Sequence, residues 1–99
     1  MIKGTTPTHI FNIPFDTSQI AEVRVLYAQN NKLILTKTTT DVEMEYRKIK
    51  VTLTQEDTFL FDTTAVEIQV RVLTNEGVAL SSVPQKVGVC KCLEDEVLV

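Results

Sequence analysis

A chain of 99 residues, 43% hydrophobic and with a formal net charge of −3, has material for one domain around a single thin core, which argues against both disorder and multiple domains. Its ten Lys and Arg residues are scattered. Without a basic block nothing displaces counterions from phosphates, so the pattern argues against nucleic-acid binding. No segment approaches the roughly 20 apolar residues of a membrane-spanning helix, and Met1 to Phe15 lacks the apolar run of a signal peptide. The expected setting is therefore a cytoplasm, with Cys90 and Cys92 reduced.

The arm Met1–Thr6 is small and polar. Thr8 to Pro14 then reads as a strand with His9, Phe11 and Ile13 on one face. Pro7 and Pro14 bracket it, and because proline lacks the N–H of a central ladder, an edge position is expected. Asp16-Thr17-Ser18 is a turn or short cap. Ile20 to Gln29 alternates Val23, Val25 and Tyr27 against Glu22, Arg24 and Leu26. Asn30-Asn31 tolerates positive φ, so this strand should turn tightly into a third over Lys32–Thr38.

Thr38 to Asp41 closes that element. Val42, Met44 and Tyr46 alternate with Glu43 and Glu45, which places both tyrosines, Tyr27 and Tyr46, on core-facing positions. After a polar turn at Arg47-Lys48, Ile49, Val51 and Leu53 form the next apolar face. Pairing of these two strands brings Glu43 and Glu45 near Lys48 and Lys50, which helps to set register. Thr54-Gln55-Glu56-Asp57 has the form of a capping box with Asp in place of Glu. One helical turn is expected there, as a crossover whose Phe59 and Phe61 plug the core. A hairpin follows, 66–74 and 78–82 about Asn75-Glu76-Gly77. Pro84 interrupts, and Val87, Val89 and Cys90 make a last strand.

Seven or eight short antiparallel strands, spaced about ten residues apart, indicate an all-β fold of the immunoglobulin-like β-sandwich type. The chain has no Trp and no Cys…Trp…Cys framework, so only the architecture is implied. A small β-barrel is the alternative. The domain covers 1–99, with the short arm at 1–6 and an acidic, then apolar tail at 93–99.

Chemistry is sparse. Cys90 and Cys92 share a strand face and could begin a metal site, but His9 is the only histidine, and a closed zinc site needs four ligands. Carboxylates or a second subunit would have to complete it; burial as packing residues is the simpler reading, with metal across a subunit interface and then a redox role behind it. A disulfide between them would close too small a ring. His9 has no nucleophile motif to serve. The three glycines stand apart, so no phosphate loop forms. The run Glu94-Asp95-Glu96 is a solvated tail rather than a calcium loop. No enzyme, cofactor or small-molecule substrate is expected.

What remains is surface. Leu26 and Leu73 fall on the polar sides of their strands, either as a sticky patch or as side chains re-aimed by a bulge. Val97, Leu98 and Val99 are wholly apolar and could add a strand to a neighbour's sheet edge, fold back, or fray. With the edge residues Thr8, His9 and Ile10, these are the candidate interface positions.

The stretches KGTTPTHIFNIPFDTS at 3–18, VRVLYAQNNKLIL at 23–35, VTLTQEDTFLFD at 51–62, VEIQVRVLTNEG at 66–77 and KCLEDEVL at 91–98 occur in an order and spacing that resemble a group of small, uncharacterised proteins encoded by phages and prophages of gut Firmicutes. The likeness covers nearly the whole chain and departs at Val83-Pro84-Gln85-Lys86. It implies synthesis in a bacterial host's cytoplasm and a place among virion structural or accessory proteins. The expected function is then non-catalytic docking to other phage structural proteins, to copies of itself, or both. The alternative is a module carried on the particle that binds a host-surface glycan or another ligand.

Overall fold

The computed structural model describes all residues, Met1–Val99. Eight strands form two antiparallel sheets. In chain order they are β1 (Thr8–Asn12), β2 (Ile20–Gln29), β3 (Lys32–Thr38), β4 (Val42–Glu45), β5 (Lys48–Thr52), β6 (Val66–Thr74), β7 (Ala79–Ser81) and β8 (Gln85–Val87). One sheet has the order β1-β5-β4. The other has the order β3-β2-β6-β7, with β8 pairing the opposite end of β6. A single helix, α1 (Gln55–Phe59), crosses from the first sheet to the second.

The alternation along the strands decides the core. Val23, Val25 and Tyr27 of β2 meet Val66, Ile68, Val70 and Val72 of β6, and Ile49, Val51 and Leu53 from the β5 side close over them with Phe61. Chain reversals use the local chemistry expected of them. Asn30 and Asn31 both adopt positive φ, at 51° and 62°, which matches the twist of a tight hairpin. Thr54 caps α1: its hydroxyl accepts from the Asp57 N–H while the Asp57 carboxylate accepts from the Thr54 N–H. Buried Gln29 holds the loop after Phe61, donating to the Asp62 and Thr64 carbonyls and accepting from the Asp62 N–H.

Three expectations need correction. Phe61 fills the core, but Phe59 is half-buried outside it, against Gly4 of the arm, because the two side chains leave the helical turn in different directions. Tyr46 is not a core residue: it lies just beyond β4, at 70% exposure, and Met44 is 40% exposed. Alternation puts them on the inward side, but β4 is an edge strand and no neighbour covers its outer half. The last strand is not Val87 to Cys90 but Gln85–Val87. Beyond it Val89 is buried in the core, and Cys90 makes only an isolated parallel bridge to Ile2. The arm at 1–6 is therefore tied down: Cys90 donates to the Met1 carbonyl, Lys3 donates to the Cys90 carbonyl, and the Gly4 N–H donates to Thr58 Oγ1. Gly4 sits at φ +81°, with an added Cβ only 2.7 Å from Phe59 Cζ, so this close approach requires glycine.

Candidate docking groove

The open side of the molecule lies between β1 and the β7–β8 edge. Leu53 donates its N–H to the Pro7 carbonyl, and Ile13 donates to that of Arg47. The odd-numbered residues of β1 therefore face β5, and Thr8, Ile10 and Asn12 turn their N–H and C=O groups to the unpaired side. The same parity operates across the gap. Thr74 donates to the Val78 carbonyl and Ser82 to that of Val70, which leaves the backbone groups of Ala79 and Ser81 pointing away from β6.

Between these two edges run three adjoining hollows of about 400, 320 and 360 Å³. Phe11, Ile13 and Phe15 line one wall and Leu80 the other, over a floor of Ile68, Val70 and Val72. Ser82 keeps the floor hydrogen-bonded where β7 ends, because its Oγ accepts from the Val70 N–H. The middle hollow is apolar, with unpaired strand backbone on both sides; the hollows at its ends add polar surface, from Gln19, Asn75 and Glu76 at one and Asn12, Ser82 and Gln85 at the other. Pro14 stops β1 at one end, and Arg47 clamps that corner by donating to the Ile13 and Pro14 carbonyls.

The candidate interface residues divide among separate places. Thr8, His9 and Ile10 lie on β1 beside the groove; Ile10 is 55% exposed. Leu26 and Leu73 lie on the outer face of the larger sheet, Leu26 half-buried and Leu73 exposed. Register shifts adjoin both positions, at Tyr27/Ala28 and at Ile20/Glu22. Val97, Leu98 and Val99 sit at the helix: Leu98 donates to Gln55 Oε1 and its carbonyl accepts from Gln55 Nε2. Val97 is half-buried there, while Leu98, at 73% exposure, and Val99 stay outside. Cys90 and Cys92 are free thiols; Cys90 is exposed rather than buried as a packing residue and Cys92 is half-buried, because the chain has left the sheet by then, and no three His, Cys, Asp or Glu side chains are grouped to hold a metal.

A polar cluster inside the fold escaped the sequence reading. His9 Nδ1 lies 2.8 Å from the Tyr27 hydroxyl. Burial, and then the charge of the amino terminus, lower the His9 pKa; burial, and then the Asp57 charge, raise that of Tyr27. Lys37 of β3 reaches Asp57 of α1 at 2.8 Å, with both side chains largely covered. Burial pushes the Asp57 carboxyl up, but hydrogen bonds from Lys37 and Thr54 outweigh it and hold the group below its usual range. Lys37 occupies the inward register position opposite Val25, a parity the alternation of β3 offers, but nothing local names Asp57 as its partner. The His9–Tyr27 pair joins β1 to β2, and the Lys37–Asp57 pair joins β3 to α1.

No helix is long and apolar enough to cross a membrane. Compared with protein-family models, with curated proteins and with solved structures, the chain matches none of them.

Proposed function

We propose that this protein is a non-catalytic phage or prophage component, a virion structural or assembly protein that docks to other phage proteins and to copies of itself through its open sheet edges. The observation that carries this reading is the apolar groove flanked by unpaired backbone on β1 and on β7. A strand laid there gains main-chain hydrogen bonds from an edge and burial for every second side chain. The commitment of His9 to Tyr27 supports a role without catalysis. The resemblance over residues 3–18, 23–35, 51–62, 66–77 and 91–98 supports the phage setting, with synthesis in the host cytoplasm and incorporation into the particle. The two unjoined edges also support an immunoglobulin-like sandwich over a small barrel, whose closure would leave no edges.

The test is the composition of purified particles from an induced host. Mass spectrometry is expected to find the protein in particles or in assembly intermediates at a fixed ratio to other structural proteins. Its absence from both would overturn the proposal. One observation favours the ligand-binding alternative: Tyr46 and Met44 stand exposed together at the β4–β5 turn, and sugar sites use exposed aromatic rings. A glycan array read with the full chain and with Tyr46→Ala decides it; no hits with the full chain would remove that reading, and equal signals from both would remove Tyr46 from it.

A further inference from the structure

We propose that the occupant of the groove between β1 and β7 is the segment Glu94–Val99 of a second copy of this chain, added as a strand along β1; this rests on the docking function proposed above. Four observations point to this occupant.

The first is the form of the acceptor. Thr8, Ile10 and Asn12 offer free backbone donors and acceptors, and Ile13, Val70 and Leu80 offer apolar surface beside them. The complementary ligand is a short extended segment with apolar side chains. The second is the state of the donor. Val97-Leu98-Val99 is apolar, yet Leu98 and Val99 are exposed, and the segment is held by two hydrogen bonds to the Gln55 amide. That amide already engages both backbone groups of Leu98, as a neighbouring strand would. None of residues 94–99 lines the groove of its own molecule, so a groove filled by this segment takes it from another copy.

The third is charge. Glu94, Asp95 and Glu96 precede the apolar residues. Three cations stand beside β1 by register or at its end: Lys50 opposite Ile10, which is paired with Glu45, and Lys48 and Arg47, which with Lys86 on β8 are in no ion pair; the one acidic residue on the groove lining is Glu76, at its far end. The fourth is length. Six extended residues span about 20 Å, and the five residues of β1 about 17 Å, at roughly 3.3 Å per residue. Donor and acceptor are different surfaces of the same chain. Two copies can exchange segments reciprocally in a two-fold dimer, and one-way repetition produces a ring or an open row of copies.

Two full-length variants test this by complementation. Leu80→Asp spoils the groove by putting a carboxylate among apolar side chains and opposite the acidic segment. Val97→Asp with Leu98→Asp spoils the donor. Both change residues at the surface or near it, and far-ultraviolet circular dichroism with thermal melts checks that each variant folds; Leu80→Met is the control that keeps the groove apolar. Light scattering over a concentration series is expected to show the parent chain and Leu80→Met assembling beyond the 11.1 kDa monomer. Each spoiled variant alone should need at least tenfold higher concentration to do so. Their equimolar mixture should form a dimer, because one intact donor meets one intact groove.

Assembly of Leu80→Asp at the parent's concentrations would overturn the groove as acceptor and leave the docking function standing. Failure of the mixture to dimerise, when both variants are folded and monomeric, would overturn the donor–acceptor pairing. A parent chain monomeric throughout would overturn the second copy as occupant. The docking function would then be judged by particle composition alone.

Discussion

His9 and Tyr27 illustrate how single residues set the conditions under which this fold is stable. The folded state disfavours protonated His9, so stability is full above the ordinary histidine value of 6.5 and is lost as pH falls through the lowered folded value. Asp57, held low by Lys37 and Thr54 despite its burial, adds a loss at still lower pH, below the ordinary carboxyl value of 3.8. Tyr27 works from the other side: its raised value keeps the phenol protonated, and stability falls once pH rises beyond 10.0, where the unfolded chain ionises. Urea denaturation between pH 4 and 11 is expected to show a plateau from about 6.5 to about 10 with a decline on each side. Tyr27→Phe should cost about 1 kcal/mol at neutral pH by removing a partly buried hydrogen bond, and should steepen the acid decline no further. Gly4→Ala combines a strained φ with a collision against Phe59 and should cost about 1–3 kcal/mol by the same assay.

At the level of elements, much was legible because the informative signals are local. The pair Asn30-Asn31, the box from Thr54 to Asp57 and the strict alternation of 66–72 each specify their own geometry within a few residues, and each appears as expected. Pro7 and Pro14 marked β1 as an edge, and it is one. What escaped was the information held in pairs distant along the chain. Period-two alternation puts Met44 and Tyr46 on an inward face, but whether anything covers that face depends on which strand lies at the edge. Gln85 to Val87 has one apolar residue and follows a proline, so its strand exists only because β6 offers free partners at Val66 and Ile68. Lys37 and Asp57 stand 20 positions apart, and only the fold brings them together. Thr54→Ala is expected to lower stability by about 1 kcal/mol through loss of the helix cap. Lys37→Met should cost about 1–3 kcal/mol, since it strands a largely covered carboxylate; chemical denaturation measures both.

The whole molecule is thin, 46 × 30 × 16 Å, with 16 of 99 residues buried. Its accessible surface is 6377 Å², against about 5,700 Å² for a typical monomer of this mass. The excess of roughly 700 Å² is close to the area of about 800 Å² that one partner contributes to a standard interface. That excess is what an open groove and an elongated outline produce, and it is in keeping with the docking role proposed above. The scaffold consumes most of the aliphatic residues and Phe61; the proposed docking surface lies at the edges, where the groove was invisible in the sequence because its walls come from 10–15 and 80–82 and its floor from 68–72.

Amide hydrogen exchange, followed residue by residue in dilute and in concentrated solutions of the full chain, tests the central claim most directly. In dilute monomer the amides of Ile10, Asn12 and Ser81 should exchange freely, while those of Phe11 and Ile13, paired with β5, stay protected. On assembly the first group should become protected and the amides of β4 should not change. Exchange at Ile10 and Asn12 that stays fast in every assembled state would contradict docking along β1.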